Sequence, residues 1–270
     1  VALRDRLRRR GLLLDASVNL VHRTTGRVIR AQTDPLVPQQ YMFAAVGALG
    51  LPPPDQATAT KKVLVIDSGL DLSHEEFTSR ADRTVGENAQ VVDPVHEGEW
   101  HGTAVSSQIG ADSNGLGIEG LVPGVTLGMW DAGAEGLSEA EIFAGFRRAI
   151  SAGYSIVNMS FGASCGYSTP ELRAIYKLVD HGILPIAAAG NEFQDSGVLG
   201  CPANPDEAPG RYPHVLTVAA TDSADRRASF SNVKSYNDVA APGVSIVAAI
   251  PCQFFQDPIT ACMAGKPYAA

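Results

Sequence analysis

Three polar side chains in this sequence could together perform acid–base chemistry, namely Asp67, His101 and Asn191. Asp67 directly follows an apolar, β-branched run, where a carboxylate is costly to bury unless it is paired. His101 begins a stretch with helical character, where the helix dipole disfavours an extra proton and keeps the imidazole available as a base. Asn191 follows a run of small residues and can offer an amide N–H to a developing oxyanion. Each of the three, taken alone, is equally well explained as a structural or turn-forming residue.

The elements that would position these side chains alternate between apolar strands and amphipathic helices. Strands are predicted at residues 63–66, 125–130, 155–161, 183–189, 215–220 and 238–241. A capping box at 138–141 begins one helix, which Gly153 ends, and a second helix runs from Thr169 to Gly182. This alternation predicts an α/β fold with a parallel sheet covered by helices on both faces. Ligands of such sheets bind beyond the carboxyl ends of the strands.

Charge is distributed unevenly along the 270 residues. Residues 1–30 hold eight arginines and two aspartates, a charge of +6, so with a net charge of −8 the other residues carry −14. An acidic body argues against a nucleic-acid partner, since phosphate binding needs a basic surface. No apolar run reaches the roughly 18 residues that a membrane span needs. The basic segment reads as a short helix and strand, or as an unstructured arm.

In this order on one sheet, the three chemical motifs resemble those of the subtilase (subtilisin-like serine protease) family. They stand here as Val65-Ile66-Asp67-Ser68-Gly69, His101-Gly102-Thr103 and Ala189-Gly190-Asn191. The likeness continues at 156–162, 228–232 and 238–243, so it covers about residues 34–270. It implies a secreted or periplasmic monomer that hydrolyses polypeptides, in which Asp67 orients His101, the general base, and Asn191 donates to the oxyanion.

The resemblance also implies a substrate site and a domain organisation. The residues expected to bind the substrate are Ser160, Phe161, Gly162, Ala188, Ala189 and Gly190. Residues 1–30 resemble the C-terminal part of an inhibitory propeptide, which would be a partner of a catalytic domain at 31–270. Glu207 is a candidate for the base of the pocket that selects the substrate side chain, or else a surface residue.

The nucleophile is the missing part of this constellation. In the family it is a serine in a Gly-Thr-Ser-Met-Ala stretch, and no such stretch occurs in the 270 residues. Residues 265–270 resemble the approach to it, so we expect the serine to follow Ala270 and residues 1–270 to be inactive alone. Three alternatives remain: Cys262 as a thiolate nucleophile, a pseudoprotease or binding module, and an α/β-hydrolase. The last would use Ser164 of a GxSxG motif with His181 or His214.

A calcium site and disulfide bonds are two further expectations. The loop at 112–118 resembles a calcium loop of the family, and calcium prefers such mixed carboxylate, amide and carbonyl oxygens; a solvated polar loop is the alternative. The expected ligands are Asp34, Glu76, Asp112, Asn114, Leu116 and Ile118. The four cysteines match no zinc spacing. Free thiols are one interpretation, and the pairs Cys165–Cys201 and Cys252–Cys262 are the other, which would indicate an oxidising compartment.

Overall fold

A computed structural model describes residues 34–48, 61–88, 100–133, 136–164, 169–193, 200–203, 215–232, 237–251 and 268–269. Seven strands form the central sheet: β1 (Lys62–Asp67), β2 (Thr84–Gly86), β3 (Thr126–Asp131), β4 (Ile156–Met159), β6 (Leu184–Ala188), β8 (Leu216–Thr221) and β9 (Val239–Pro242). Their order across the sheet is β2-β3-β1-β4-β6-β8-β9, and each pairing between neighbours is parallel. The predicted α/β fold with a parallel sheet is confirmed.

Two short antiparallel pairs lie outside this sheet. β5 (Ala163–Ser164) pairs with β7 (Gly200–Cys201), and β10 (Ala248–Ala249) pairs with β11 (Tyr268–Ala269). The helices are a 3₁₀ turn at Val37–Gln39, then α1 (Met42–Ala45), α2 (Glu75–Thr78), α3 (Trp100–Gly110), α4 (Glu139–Ser151) and α5 (Thr169–Asp180). In the part of the chain that the structure describes, no helix has the length and hydropathy needed to cross a bilayer.

The two faces of the sheet carry two separate apolar clusters, as strand alternation requires. On one face Leu64 and Ile66 of β1 pack in a cluster with Phe146 of α4 and Ile175 of α5. On the other face Val63 and Val65 pack with Leu127 and Met129 of β3, against Val105 and Ile109 of α3. Because both faces are covered, the functional groups of this sheet are confined to the edge where the parallel strands end.

The capping box predicted at the start of α4 is wrong in one respect. The helix begins at Glu139 after Ser138, as expected, but the Ser138 side chain makes no capping hydrogen bond. The Ser138 amide donates to the Ala132 carbonyl at 2.7 Å, and its own carbonyl accepts the Ile142 amide at 2.9 Å. Backbone hydrogen bonds therefore anchor this helix start instead of a capping box.

Candidate active site

The Asp67 carboxylate and the His101 imidazole are hydrogen-bonded at the end of β1. The two Asp67 oxygens lie 2.8 and 3.0 Å from His101 Nδ1. Asp67 is 2 % exposed, and its Oδ1 also accepts the Ser68 amide at 2.8 Å. An ionised carboxylate can only accept, so Nδ1 carries the proton of the neutral ring. Nε2 is therefore left as the basic nitrogen.

This pairing raises the pKa of His101 above its ordinary 6.5, chiefly through the hydrogen bond to Asp67, while burial opposes the rise. The sequence predicted the opposite influence, because His101 lies in the first turn of α3, where the helix dipole disfavours a second proton. The position in the helix is confirmed. The expected direction of the pKa is wrong, since a directly hydrogen-bonded, buried carboxylate outweighs partial backbone charges.

Gly102 is the residue that lets α3 approach the end of β1 so closely. A Cβ atom on Gly102 would lie 2.1 Å from the carbonyl oxygen of Gly69. Around this contact the Gly102 amide donates to Ser68 Oγ at 3.3 Å, and the Asp71 amide donates to Thr103 Oγ1 at 3.0 Å. The His-Gly-Thr sequence thus positions the imidazole through close backbone contact as well as through the hydrogen bond between His101 and Asp67.

His101 borders a cleft of about 530 Å³ that also brings together several of the predicted site residues. Asn191 lines this cleft, as do Ser160, which follows β4, and Ala188, the last residue of β6. Asn158 and Trp100 line it as well and were not predicted. The cleft therefore brings together a base, an amide and the end of a strand, which are three of the groups that acyl transfer uses.

The other predicted substrate residues lie near the cleft without lining it. Phe161 packs against the apolar cluster of α4 and α5, Gly162 is exposed and Ala189 is 2 % exposed. Gly190 has a φ of +101°, a left-handed conformation that glycine adopts without strain. Gly190 accordingly forms the turn that presents Asn191.

Asn232 holds this turn and was not predicted as a functional residue. Its Nδ2 donates to the Ala189 carbonyl at 3.0 Å and to Glu192 Oε2 at 2.6 Å, while its Oδ1 accepts the Glu192 amide at 3.0 Å. The Asn232 amide donates to the Gly190 carbonyl at 3.0 Å. Asn191 therefore lies on a turn fixed from both sides by a residue that is 2 % exposed. Sequence patterns carry no signal for a contact across 40 residues.

Five of the expected calcium ligands gather around one loop. Asp34 Oδ1 accepts the Gly115 amide at 2.6 Å, Glu76 Oε1 accepts the Ile118 amide at 2.8 Å, and Asn114 Oδ1 accepts the Leu116 amide at 2.8 Å. Leu116 and Ile118 can offer only backbone carbonyls. Asp112 is different, since its carboxylate pairs with Arg83 at 3.3 Å. Within the described ranges no three His, Cys, Asp or Glu residues form a metal-binding group, so a cation there would depend on amide and carbonyl oxygens.

The environment of the Glu76 carboxyl group is the feature of this loop region that bears most on cation binding. Its side chain is fully buried, and its Oε2 has no hydrogen-bond partner among the described residues. Burial, with smaller contributions from the charges of Asp34 and Glu75, raises the pKa of Glu76 to about 8. A buried carboxylate with an unsatisfied oxygen is costly unless a charge compensates it. The residues present therefore fit a hard cation.

The remaining predictions fall partly or wholly outside the described residues. These include residues 1–30, Glu207, His214, Cys165, Cys252 and Cys262. For the alternative nucleophile, β5 contains Ser164 in its backbone pairing, downstream of the carboxyl end of β4. His181 precedes the start of β6 and therefore lies toward the opposite edge of the sheet. The hydrolase interpretation with His181 is accordingly not supported by the topology.

Comparison with known proteins agrees with this geometry. The sequence profile of the Subtilase family matches residues 59–263, most of the chain. The chain belongs to the subtilase family. Subtilisin NAT of Bacillus subtilis subsp. natto is 37 % identical over 195 residues, which are 70 % of this chain and 48 % of that protein. The subtilisin of Bacillus pumilus is also 37 % identical over 195 residues, 70 % of this chain and 67 % of its own.

Two solved subtilase structures share the fold. The psychrophilic subtilisin-like protease Apa1 of Pseudoalteromonas sp. AS-11 superimposes with a TM-score of 0.66 at 29 % identity, over 78 % of this chain and 47 % of its own. A cold-adapted subtilisin-like serine proteinase gives a TM-score of 0.57 at 28 % identity, over 71 % of this chain and 66 % of its own. The chain spans about half the length of several of the relatives it matches.

Proposed function

We propose that this subtilase chain provides the acid–base pair, the oxyanion donor and the substrate cleft of a serine endopeptidase. The observation that carries the proposal is the Asp67–His101 pair, with distances of 2.8 and 3.0 Å, beside a cleft that Asn191 also lines. Membership of the family supports the same activity. Asp67, His101 and Asn191 are assigned the roles of orienting acid, general base and oxyanion donor.

In the proposed reaction His101 Nε2 removes the proton of a serine hydroxyl as its oxygen attacks the peptide carbonyl. The carbonyl oxygen becomes an oxyanion, which the Asn191 side-chain amide stabilises by donating a hydrogen bond. His101 then returns the proton to the leaving amine, so the C–N bond breaks and an acyl-enzyme remains. Water attacks the acyl-enzyme by the same route, releasing the acid and the free serine. Asp67 orients the imidazole and stabilises the imidazolium that forms.

The serine itself is proposed to follow residue 270. The cleft beside His101 has an apolar floor, supplied by Ala104, Val105, Val218, Ala220 and Ile246. A further apolar element covering that floor, with a serine at its start, would complete the site. Cys262 is the competing nucleophile, and it lies outside the described residues. A pseudoprotease is the competing function, since the 270 residues contain no Gly-Thr-Ser-Met-Ala stretch.

The test compares the 270-residue chain with the product of its gene read through beyond Ala270. We expect the longer product to cleave a quenched-fluorescence peptide library and to react with a fluorophosphonate, and the 270-residue chain to do neither. Asp67→Asn in the longer product should lower kcat by on the order of 10⁴-fold, because the imidazole loses its orienting acceptor. Cleavage abolished by Cys262→Ala would assign the thiol instead. A folded longer product without hydrolysis would support the pseudoprotease.

We further propose that calcium binds at the 112–118 loop, held by Asp34, Glu76 and Asn114 with the carbonyls of Leu116 and Ile118. A bound cation would neutralise the buried Glu76 and join the start of the catalytic domain to this loop. Its contribution would be structural stability and not chemistry. The Asp112 side chain is not included, because its carboxylate pairs with Arg83.

Residues 1–30 are proposed to act as a propeptide segment, with catalysis by a monomeric domain at 31–270 outside the cytoplasm. The charge of +6 against −14 supports contact between the two parts.

The backbone pairing of Cys201 with Ala163, two residues before Cys165, supports a Cys165–Cys201 disulfide. Mass spectrometry of tryptic peptides with and without reduction tests both disulfide pairs. Alkylation of all four cysteines in the unreduced protein would remove this argument for an oxidising compartment.

A further inference from the structure

Trp100 is an exposed aromatic residue placed directly beside the general base. It precedes His101 at the start of α3, and its ring centroid lies 5.7 Å from that of the imidazole at an interplanar angle of 66°. Its exposure is 42 %, and it lines the same cleft as Asn191 and Ser160. A large apolar surface is thus held against the imidazole and left open to the cleft.

Structural packing among the described residues does not account for this position. Trp100 belongs to none of the four apolar clusters found there. The chain's other tryptophan, Trp130, packs against the cluster of α4 and α5. Isolated exposed apolar residues are ordinary on protein surfaces. An aromatic one inside a concave cleft, in edge-to-face contact with the base, is the arrangement expected of a ligand subsite.

The supporting elements indicate which half of a substrate would meet this ring. By the family resemblance, Ser160 and Ala188 are expected to contact the half of the peptide that becomes the acyl group; Ser160 follows β4 and Ala188 ends β6. Trp100 is carried by α3, which contacts β1 and β3, on the other side of β4 in the sheet order. His101 follows Trp100 on α3, and its Nε2 must reach the leaving amine in the proposed reaction. The residue released with that amine therefore approaches from the α3 side.

We propose that Trp100 forms the apolar wall of the subsite for the first residue after the scissile bond, so that leucine or phenylalanine is preferred there. This inference rests on the proposed peptidase function. Contact with the indole face removes apolar surface from water, and aromatic contacts add to that gain. The same contact shields the Asp67–His101 pair from water on the leaving-group side.

The kinetic test uses the acyl-enzyme of the longer gene product. Free amino acid amides compete with water for it, and they enter from the leaving-group side. We expect leucinamide to be incorporated about three- to tenfold better than alaninamide, as befits one apolar contact. Trp100→Ala should reduce this preference to less than about twofold, and Trp100→Phe should retain most of it. Leu184→Ala is the control, because Leu184 is 43 % exposed but begins β6 at the opposite edge of the sheet.

A preference for leucinamide that survives Trp100→Ala would overturn the inference. The inference would also be overturned if Trp100→Ala changed selectivity only for residues on the acyl side of the scissile bond. A binding measurement separates this failure from failure of the proposed function. In a Trp130→Phe variant of the 270-residue chain, which then holds one tryptophan, the fluorescence reports on Trp100, and the dipeptide amide Leu-Gly-NH₂ should shift it at lower concentration than Ala-Gly-NH₂. A fluorescence shift without any hydrolysis would contradict the proposed peptidase function and support the subsite. Hydrolysis with equal titrations by the two dipeptide amides would contradict the subsite alone.

Discussion

At the scale of single residues, two buried carboxylates illustrate how environment assigns roles. The carboxylate of Asp67 is buried and hydrogen-bonded, because it accepts hydrogen bonds from His101 and Ser68. Glu76 is buried with one oxygen unsatisfied among the described residues. The first arrangement stabilises an imidazolium, whereas the second provides a place for a cation. We therefore propose acid–base work for the carboxylate of Asp67 and ion binding for the carboxylate of Glu76.

The His101 titration is a prediction at this scale. Its pKa is raised above 6.5 by Asp67, so we expect an NMR titration midpoint above that value and an acid limb of kcat/KM, in the longer gene product, at the same pH. The raised pKa adds stability that is fully present below the unfolded-state pKa and is lost as pH rises through the folded-state value. Asp67→Asn should bring the midpoint down to 6.5 or lower, because burial then acts without the opposing hydrogen bond, and stability should no longer be lost as pH rises through this window. A midpoint unchanged in that variant would contradict the assignment.

The turn that carries Asn191 supplies a second residue-scale prediction. Asn232→Ala leaves the Ala189 carbonyl and the Glu192 amide without their side-chain partner, at a cost of about 1–3 kcal/mol for such buried groups. Because the turn would then hold Asn191 less firmly, kcat in the longer product should fall at least about tenfold with little change in KM. Ser231→Ala is the matched control, since Ser231 Oγ accepts only the Ala220 amide. Equal losses in both variants, or a loss confined to KM, would show a general structural role.

At the scale of elements, the close contact between α3 and the loop after β1 is the decisive feature. Two backbones meet at Gly102 and Gly69, and neither can yield as a flexible side chain could. The sheet edge places the end of β1 beside the ends of β3 and β4, and α3 supplies the imidazole. Catalytic geometry in this molecule is therefore a consequence of helix–strand packing.

Gly102→Ala tests that packing. A methyl group would lie 2.1 Å from the Gly69 carbonyl oxygen, so α3 must move, and overpacking of this kind costs about 1–3 kcal/mol or more. Gly110→Ala on the same helix is the comparison, because its nearest contact is the end of the Arg80 side chain at 2.4 Å. We expect a larger loss of unfolding free energy in urea, and a larger perturbation of the His101 ring resonances, for Gly102→Ala. The reverse order would contradict the close-approach argument.

The loop at 112–118 gives a prediction about metal removal. Calcium should raise the thermal unfolding midpoint of the chain and a chelator should lower it, because a ligand that binds only the folded state stabilises it by mass action. Glu76→Gln removes the carboxylate that would bind the ion, and we expect it to abolish most of the calcium response. Asp112→Asn is the control that keeps the response, since the Asp112 carboxylate pairs with Arg83. A wild-type midpoint that calcium and chelator leave unchanged would exclude the site.

At the scale of the whole molecule, charge separates a basic first segment from an acidic remainder. Residues 1–30 hold eight arginines and two aspartates, whereas residues 31–270 carry a net charge of −14. Attraction between parts of opposite charge is long-ranged at low salt and is screened within about 10 Å at 0.1 M ionic strength. An interaction between the two parts is therefore expected to depend on salt.

A synthetic peptide of residues 1–30 tests the interaction. It should inhibit the longer gene product assembled without its own first 30 residues, and inhibition should weaken as salt rises from about 0.05 to 0.5 M. The same peptide with its eight arginines replaced by glutamine should inhibit less. Inhibition that is indifferent to both changes would contradict an electrostatic contact, and absence of inhibition would contradict the propeptide role.

The sequence by itself determined the fold class and most strand positions, and it singled out Asp67, His101 and Asn191 as the proposed reactive groups. Those depend on local information, namely apolar runs, periodicity and short motifs. The strand predicted at 155–161 extends past the observed Ile156–Met159, because pairing with β1 ends at Asn158 and pairing with β6 ends at Met159. Strands β2, β5, β7, β10 and β11, of two or three residues each, were not predicted, since so short a run carries no periodic pattern.

Only the tertiary structure decided how the site is held together. It placed Asn232 against the Asn191 turn, Trp100 against the imidazole and the Asp112 carboxylate on Arg83. It also reversed the expected influence on His101, because a hydrogen bond to a buried carboxylate outweighs the dipole of a helix start. Residue types and spacing identify the groups that can react. Distances and burial, which arise from contacts between remote segments, determine their pKa values and orientation.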